Sequence, residues 1–473
     1  MASTYINRTQ SDGNSRTWTL SLWVKKTRVS DNNDDLFFSS ASNGTVELNK
    51  IEFSTDTFQF SDWNGSSLDI QLKTNRLFRD TNGWYHVVLR VDTTQSTESD
   101  RVKIYINGVQ ETSFQTTNYP SQNHTTKVNR SGKVLSFCRG YDFGSSSARY
   151  MDCVLSHIHL CDGYSYDPTA FGSTDATTGE WKINTSPSVT YGTNGFFILK
   201  DGNSVTDQSG NSNNFTVGGG TLTKTEDNPS NVFATINPLF VNDGGETNGL
   251  SNGNTRYYSN SVQSNQWNNM AMTLGASTGK YYWEVKYTQI HSTETVYGSS
   301  EGIASDLAPT NHNLGEGSRS GYGYGWLCGN RNTTSNTRYL KTVAGTSTLT
   351  TDSNNTPVAV NDIVGVAFDA DNGKLWFHKN GTYIDDLSGY VGNPSTGAYP
   401  YHTGIQTGQI YTPWSDVWQN STGNDIRKEY NFGNGYFGTT AVSSAGTNAS
   451  GNGIFEYDVP TGYTALSTKG LNL

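Results

Sequence analysis

Several features that define whole classes of protein are missing from this sequence of 473 residues. No apolar run approaches the roughly 18 residues that a membrane-spanning helix needs. The segment Met1–Tyr5 has no basic region followed by an apolar core, so the sequence predicts no secretion signal. Apolar stripes with helical spacing are short and no heptad repeat occurs, which excludes a coiled-coil stalk from this chain.

Cysteine is also scarce, with four residues at positions 138, 153, 161 and 328. They show no C-x-x-C spacing and have no nearby pair of histidines at zinc spacing. We therefore expect buried free thiols, which fits synthesis in a reducing cytoplasm. The 11 prolines are too few for a chain dominated by linkers.

Charged residues make up only 16% of the sequence, and acidic residues outnumber basic ones by 42 to 32. The formal net charge of −10 argues against a nucleic-acid partner, because neutralising phosphates supplies most of such affinity. Because no long apolar run occurs, we also expect no insertion into a membrane.

Glycine, with 50 residues, and aromatic residues, at 12%, are what the sequence has in quantity. Disordered chains are poor in aromatic residues, so the low hydrophobic content of 33% does not indicate disorder here. The many Asn, Ser, Thr and Gly residues favour turns and strands over helix interiors. The composition predicts an ordered, loop-rich, all-β protein.

Alternating apolar and polar residues mark strands in the first half. Trp18–Lys25 has a period of two, and Ile51–Phe60 and Ser67–Lys73 read as short strands. A hairpin is predicted from Trp84–Asp92 and Arg101–Ile106, with an Asn-Gly turn directly after the second strand.

The second half repeats this organisation. Lys280–Thr288 is predicted as a strand, and Asp362–Asp369 pairs with Lys374–Lys379 as a hairpin. Between them and the first half the apolar pattern thins, from about Gly218 to Gly249. We expect two concanavalin-like antiparallel β-sandwiches in tandem, residues 1–220 and 250–473, joined by a linker at 221–249.

The second half resembles a SPRY domain. The motifs that carry the resemblance follow in the family's order: Gly279–Val285, Gly302–Ala304, Tyr322–Tyr324, Asp362–Asp369, Gly373–Gly381, Tyr399–Pro400, Asn431–Gly433 and Pro460–Tyr463. The segment Gly404–Lys428 departs from it, since the family usually has a shorter connection there.

The first half is similar to laminin-G-like, concanavalin-type domains. The carrying segments are Trp18–Lys25, Gly83–Val88, Val102–Gly108, Leu155–Gly163, Asp167–Gly172, Tyr191–Phe197, Asp207–Phe215 and Asn231–Leu239. This succession, followed by SPRY, resembles virion and tail-fibre structural proteins of tailed bacteriophages. The resemblance implies two β-sandwiches on a virus particle.

Sequence motifs for catalysis are missing. Concanavalin-like glycoside hydrolases place paired carboxylates on alternate residues of one strand, and the nearest approach here is Glu98 and Asp100 in a polar loop. Neither G-x-S-x-G nor H-E-x-x-H occurs. We therefore expect a protein without enzymatic activity, and a glycan depolymerase is a distant alternative.

Metal binding is predicted only weakly. His157 and His159 lie two residues apart on a predicted strand, but no third ligand is in view, so ordinary structural histidines are the default interpretation. The acidic loop Asp31–Asp35 offers oxygen ligands for Ca²⁺, with a plain turn as the alternative. We expect no cofactor, with calcium left open.

Binding through exposed aromatic residues is the more promising prediction, because sugars stack on aromatic rings. The candidate residues are all expected in loops: Trp63, Trp326, Tyr411, Trp414, Asp416 and Trp418. Two Trp four residues apart, directly after a Pro and on either side of Asp416, make 411–418 the most suggestive segment. The alternative is that these rings fill a gap in the sandwich or form a subunit contact.

These observations lead to an expected function. We expect a bacteriophage virion surface protein, made in the host cytoplasm, that acts as a tail-fibre or receptor-binding component contacting host-surface glycan or protein. The alternative is a capsid- or tail-decorating protein that contacts other virion proteins alone. A homo-oligomer is expected in either case, and a trimer is one form it could take.

Overall fold

The computed structural model describes residues 3–29, 34–200, 202, 204–242, 249–258, 266–290, 299–305, 323–328, 338–343, 346–351, 358–384, 389–419 and 426–472. It is 47% strand and 3% helix, which confirms the predicted all-β fold class. The chain divides into two compact units: Met1–Lys224 with Asn228–Ser230, and Thr225–Asp227 with Asn231–Leu473. No helix of the described residues is long and apolar enough to cross a membrane.

The first unit contains eighteen strands and two short helical turns. In chain order they are β1 (Tyr5–Thr9), β2 (Thr17–Lys26), β3 (Asp34–Ser40), β4 (Leu48–Ser54), β5 (Thr57–Trp63), β6 (Leu68–Leu77), β7 (Tyr85–Asp92), α1 (Glu98–Arg101), β8 (Val102–Ile106), β9 (Val109–Gln110), β10 (Phe114–Asn118), β11 (Val134–Phe137), β12 (Arg139–Tyr141), β13 (Ala148–Tyr150), β14 (Cys153–Asp162), a 3₁₀ turn (Pro168–Ala170), β15 (Gly172–Thr174), β16 (Trp181–Ile183), β17 (Phe196–Ile198) and β18 (Thr216–Gly219).

Two antiparallel sheets enclose the core of this unit. Sheet I has the order β10-β6-β5-β4-β3-β11-β1-β18, and sheet II has the order β17-β14-β2-β7-β8-β9. Side chains alternate along each strand, so Trp18, Leu20 and Leu22 of β2 face the core together with Phe58 and Phe60 of β5. The hairpins β12–β13 and β15–β16 are separate two-stranded additions.

The second unit contains seventeen strands among the described residues. They are β19 (Ile236–Asn242), β20 (Leu250–Ser251), β21 (Arg256–Tyr258), β22 (Gln266–Met272), β23 (Lys280–Gln289), β24 (Ser299–Ser305), β25 (Gly323–Leu327), β26 (Arg338–Val343), β27 (Thr346–Thr351), β28 (Ile363–Asp369), β29 (Lys374–Lys379), β30 (Thr382–Tyr383), β31 (Tyr411–Gln419), β32 (Arg427–Asn431), β33 (Tyr436–Phe437), β34 (Thr440–Ala441) and β35 (Thr464–Ala465), followed by a 3₁₀ turn (Gly470–Asn472).

These strands form two larger sheets. Sheet III has the order β19-β22-β31-β24-β25-β26-β27, and sheet IV has the order β20-β21-β32-β23-β28-β29-β30, with β35 parallel to β23. Their core is rich in aromatic side chains, among them Trp283, Trp376 and Tyr287. Within the segment 221–249 predicted as a linker, β19 forms the edge of sheet III, and residues 243–248 lie outside the described residues.

The turns explain the hairpins. Asn107-Gly108 and Asn380-Gly381 have positive φ at both positions, as a type I′ turn between twisted strands requires. Thr55 and Asp56 also have positive φ, at 48° and 64°. The segment 51–60, predicted as one strand, is therefore the hairpin β4–β5, whose turn carries no Gly to signal it.

Candidate functional site

The candidate residues around 411–418 lie in a strand, which corrects the prediction of a loop. Tyr411, Trp414 and Asp416 belong to β31 in the middle of sheet III, and all three are buried. Pro413 lies on this strand at a gap in its pairing. On one side of the gap is the isolated bridge between Tyr411 and Ala276, and on the other is Trp414, where the ladder with β22 ends. A strand tolerates Pro at such an interruption because no ladder bond is lost there.

Packing accounts for the three buried side chains. The Trp414 Nε1–H donates to Asp416 Oδ1 at 2.7 Å, and the Ser300 hydroxyl donates to Asp416 Oδ2 at 2.9 Å. Phe240 meets the Trp414 ring edge-on, with centroids 5.1 Å apart. The Tyr411 ring packs on Phe368 in the core. These residues have no surface to offer a ligand, in keeping with the gap-filling alternative.

The remaining candidates divide between core and surface. Trp326 lies in β25 and is fully buried, with its ring 6.1 Å from that of Phe377, so it too is not a loop aromatic. Trp418 lies in β31 opposite Trp267, and its side chain is outside the described residues. Trp63, at the end of β5, keeps a partly exposed side chain.

Trp63 lies on the outer face of sheet I. Ile51 and Phe53 of β4 and Phe58 and Phe60 of β5 point into the core, so the residues between them point outward. Those outward residues are polar, and they continue across the neighbouring strands: Asp35, Lys50, Glu52, Gln59, Ser61 and Gln71.

Hydrogen bonds connect this polar row. Lys50 Nζ donates to Glu52 Oε2 at 2.7 Å, and Gln59 Nε2 donates to Glu52 Oε1 at 2.9 Å. Gln71 Nε2 reaches Gln59 Oε1 at 3.4 Å. Apart from Gln71 the row is buried, and the hairpin β12–β13 packs beside it over β3 and β4.

Asp35 is the least satisfied member of the polar row. Its carboxylate is buried, its nearest cation is Lys50 Nζ at 3.6 Å, and neither oxygen has a hydrogen-bond partner among the described residues. Burial is the main cause that raises the pKa of Asp35 to about 7, and the positive charge of Lys50 opposes it.

The hairpin β12–β13 and its connecting segment add aromatic and charged side chains at the margin of this face. The Phe143 ring lies 5.4 Å from the ring of Trp63, and Lys50 Nζ lies 4.5 Å from the centre of the Phe143 ring. Arg149 pairs with Asp142 and lies 4.0 Å from Glu52. Asp142, Phe143 and Arg149 are all partly exposed.

The turn after β5 completes the margin. Asn64 is exposed, and its Nδ2 donates to Asp69 Oδ1 at 2.8 Å. We use the name rim patch for the set of partly or fully exposed side chains around Trp63: Trp63, Asn64, Asp69, Asp142, Phe143 and Arg149. The rim patch combines aromatic faces with amide, carboxylate and guanidinium groups.

One cluster near the rim patch has the residue types of a metal site. Ligand atoms of Asp62, Asp69 and His124 lie within 4.8 Å of one another. However, Asp62 Oδ1 accepts a hydrogen bond from Lys127 Nζ at 2.8 Å, and Asp62 Oδ2 lies 3.1 Å from His124 Nε2. A cation would have to displace the buried Lys127 ammonium, so this cluster fits a hydrogen-bonded anchor better than a metal site.

The other predicted metal ligands do not form a site in the described part of the chain. His157 bonds Ser156 Oγ at 2.7 Å, whereas His159 stacks on Phe197 and bonds the Tyr191 hydroxyl at 3.0 Å. Of the acidic loop 31–35, residues 31–33 lie outside the described residues, and Asp34 and Asp35 belong to β3.

The outer face of sheet II is occupied by an aromatic stack that sequence reasoning did not find. His86 lies between Trp23, at 4.7 Å, and Trp181, at 5.9 Å, with nearly parallel rings. Trp181 Nε1 donates to His86 Nδ1 at 2.9 Å, and His86 Nε2 lies 2.9 Å from Ser21 Oγ. Burial lowers the pKa of His86 to about 3, so the ring is neutral.

A polar cleft of about 350 Å³ also opens on the first unit. It is lined by Asn7, Arg8, Thr9, Ser212, Asn213, Asn214 and Thr216. Arg8 donates to the Asn194 carbonyl at 3.0 Å and to Asn213 Oδ1 at 2.6 Å. None of the lining residues is aromatic, so this cleft lacks a surface on which a sugar ring could stack.

The carboxylates closest to a glycosidase pair are not arranged as one. Glu98 and Asp100 lie in the single turn α1, and Asp100 pairs with Lys103 at 2.9 Å. These charges lie in a surface turn, in keeping with the polar loop predicted there.

Comparisons with known proteins concern both halves of the chain. Residues 1–140 match the Laminin_G_3 family model, described as the Concanavalin A-like lectin/glucanases superfamily. The sequence comparison with curated proteins finds no match.

Three solved structures illustrate what the chain is similar to. The SPRY domain of human HERC1 is 11% identical, with a TM-score of 0.28, covering 41% of this chain and 96% of that one. A heptameric SAP-like pentraxin from Limulus polyphemus is 14% identical, with a TM-score of 0.29 and coverages of 47% and 91%. Domain 4 of the Geobacillus stearothermophilus arabinanase AbnA, in complex with arabinotriose, is 14% identical, with a TM-score of 0.24 and coverages of 34% and 68%.

Proposed function

We propose that this protein is a carbohydrate-binding surface protein without catalytic activity, and that it binds glycan at the rim patch of its first unit. The observation that carries the proposal is the partly exposed Trp63 ring beside Phe143, surrounded by Asn64, Asp69 and Arg149. The match of residues 1–140 to a lectin-like family supports a binding role.

The chemistry of the rim patch suits a sugar. The apolar face of a pyranose stacks on an indole ring, while its hydroxyls need both donors and acceptors at the edge of that ring. Asp69 and Asp142 offer acceptors, and Arg149 offers donors. The Asn64 amide shapes the turn, because it already bonds Ser66, Ser67 and Asp69. Because the polar row beneath them is connected by hydrogen bonds, it holds β4 and β5 in place as a rigid base.

A glycan array of bacterial surface polysaccharides, followed by calorimetry on the best binder, tests this site. Trp63→Ala is expected to weaken binding about tenfold, equivalent to ~1.4 kcal/mol. Tyr164→Ala is the matched control, since it removes another exposed aromatic ring of the same unit, one that stacks on Tyr166. Equal affinities of the two variants would overturn the proposed site.

We also propose that binding needs no resident metal, because Lys127 and His124 already occupy the oxygens of Asp62. The affinity for glycan should be the same with calcium as with a chelator such as EDTA. A loss of binding in EDTA that calcium restores would contradict this part of the proposal and would point to the cluster of Asp62, Asp69 and His124.

The biological role of the protein is a separate proposal. It rests on the order of the two modules, a laminin-G-like half followed by a SPRY-like half. We propose a bacteriophage virion surface protein, in the tail fibre or another receptor-binding component, present as a homo-oligomer because virion sites are symmetric. Immunogold labelling of intact particles with antibody against residues 250–473 tests it. Gold on the tail supports receptor contact, and gold spread over the head supports the decorating alternative.

The absence of catalysis is tested separately. A reducing-sugar assay on the polysaccharide that binds should show no product above the level of a no-protein control. Accumulation of product that depends on the protein would favour a glycan depolymerase.

A further inference from the structure

Two of the four cysteines lie side by side in the first unit. The sulfur atoms of Cys138 and Cys153, 15 residues apart in the chain, are separated by 3.1 Å. Both are free thiols and both are partly buried. The sequence predicted four buried free thiols, and this describes Cys161 and Cys328 better than this pair.

The backbone on each side holds the pair in place. The Cys138 amide donates to the Leu36 carbonyl in β3 of sheet I at 3.0 Å, and the Cys138 carbonyl accepts from the Met151 amide at 3.2 Å. Cys153 begins β14 and pairs with Lys26 of β2 in sheet II. The two sulfurs are thus fixed from different sheets, at the base of the hairpin β12–β13.

Cys138 has a φ of +62°, a conformation that residues other than Gly, Asn and Asp rarely adopt. Here the chain leaves β11 and enters β12. Such a conformation persists only where neighbouring contacts determine it. It places Cys138 beside Cys153 rather than in a regular continuation of β11.

We propose that Cys138 and Cys153 form a disulfide when the protein meets an oxidising small-molecule disulfide such as oxidised glutathione. One thiolate attacks the small disulfide and releases one small thiol, giving a mixed disulfide. The second cysteine, after losing its proton, attacks the mixed disulfide and releases the second small thiol. Two protein thiols are oxidised, and one small disulfide is reduced to two thiols.

The remaining cysteines are internal controls. Burial raises the pKa of Cys161 to about 12, and that of Cys328 also to about 12. Cys328 lies in the second unit, where its Sγ is 3.0 Å from the Tyr287 hydroxyl. The pKa of Cys153 is also raised, by the neighbouring Cys138 thiol and by burial, so position rather than pKa separates the pair from these two controls. Among the described residues no second cysteine sulfur lies beside Cys161 or Cys328, so neither is expected to form a link while the protein is folded.

The disulfide between Cys138 and Cys153 would close the loop that carries Asp142, Phe143 and Arg149 over the outer face of sheet I. It would therefore tie the hairpin to both sheets after the protein leaves the reducing compartment in which it is made. This consequence does not depend on whether the rim patch binds glycan.

The test uses the full chain, purified under reducing conditions and then equilibrated in mixtures of reduced and oxidised glutathione. The intact mass should fall by about 2 Da. A non-reducing tryptic digest should link the peptide Val134–Arg139 to the peptide Tyr150–Lys182. The second peptide contains both Cys153 and Cys161, so Cys153→Ser should abolish the link and Cys161→Ser should leave it intact.

Stability supplies an independent readout. A disulfide that closes a loop of about 15 residues should raise the unfolding midpoint of the first unit by roughly 5–10 °C over the reduced protein. Cys138→Ser should show no such difference between oxidising and reducing buffer. The proposal is overturned if the native protein forms no link at any glutathione ratio, or if the link forms only in urea.

Discussion

At the scale of single residues, Asp35 offers the clearest prediction. Its folded-state pKa of about 7 lies above the unfolded value of 3.8, so ionising it destabilises the first unit as pH rises through this range. Asp35→Asn should therefore raise the free energy of unfolding at pH 8, by up to about 4 kcal/mol. At pH 4 the variant and the parent protein should differ by less than about 1 kcal/mol.

Urea unfolding of the first unit at pH 4 and pH 8 measures this effect. Asp100→Asn is the control, because that carboxylate is partly exposed and pairs only with Lys103 near the surface, so its removal should change little at either pH. If Asp35→Asn were less stable at pH 8, the ion pair with Lys50 would outweigh the cost of burying the charge.

His86 predicts a pH dependence of the opposite sign. The unfolded state takes up a proton near pH 6.5, whereas the folded state does so only near pH 3. Stability should fall as pH drops below 6.5, by about 2 kcal/mol at pH 5. His86→Gln should remove this part of the pH dependence, whatever it does to stability at pH 7.

The measurement is the difference in unfolding free energy between pH 7 and pH 5, for the parent protein and for His86→Gln. Comparing two slopes cancels the contribution of other groups that titrate in the same range, such as Asp35. Identical slopes in the two proteins would show that His86 takes up a proton as readily in the folded state as in the unfolded state.

The site was harder to predict from the sequence than the strands, and the reason lies in single residues. Trp63 was chosen as a loop aromatic and it does sit at a strand end, beside a turn. Trp326 and Trp414 have sequence surroundings as polar as those of Trp63, but both are buried. Their burial depends on tertiary packing, which the local sequence does not reveal. Asp35, Lys50 and Phe143 meet only through tertiary contacts, so no local pattern indicates them.

At the scale of elements, a buried ion pair joins the two sheets of the second unit. Lys428 Nζ of β32 lies 2.9 Å from Glu301 Oε1 of β24, and both side chains are essentially inaccessible. Lys428→Met leaves an unpaired buried carboxylate, so it should destabilise the second unit by about 3–5 kcal/mol. The double variant Lys428→Met, Glu301→Met should recover most of that loss.

Thermal or urea unfolding of the second unit, in the parent and three variants, gives the coupling energy. Lys379→Met is the matched control, since its distance to Asp362 is 4.0 Å and both side chains are partly exposed. It should cost less than about 1 kcal/mol. Additive effects of the two core substitutions would show that the pair is not coupled.

Elements with strong local signals were predicted well. The strands β2, β7, β8, β23, β28 and β29 lie where alternation and Asn-Gly turns placed them. The prediction failed where the local signal was misleading. The β4–β5 turn uses Thr55 and Asp56 instead of Gly, and β31 contains a Pro.

At the scale of the whole molecule, the two units have separate hydrophobic cores. Ile6, Trp18 and Phe215 belong to one core, and Phe233, Trp283 and Leu466 belong to the other. The composition indicated the all-β class, and the thinning of the apolar pattern after Gly218 indicated two modules. The sequence pattern did not show that β19, inside the expected linker, pairs with β22.

Separate cores predict separate folding and separate function. A fragment of residues 1–230 contains every strand of sheets I and II and the whole rim patch, so it should fold alone and bind glycan like the full chain. Residues 231–473 should fold around their own core and show no binding to the same glycan. Trp63→Ala should weaken binding by the same factor in the fragment as in the full chain.

Circular dichroism of both fragments establishes folding first, and calorimetry with the same glycan then compares affinities. If the folded first fragment fails to bind while the full chain binds, the site needs the second unit and the rim patch is insufficient. If the second fragment binds and the first does not, the binding role belongs to the second module. Equal affinity of the first fragment and the full chain would assign binding to one sandwich, because its core and its rim patch are complete within residues 1–230.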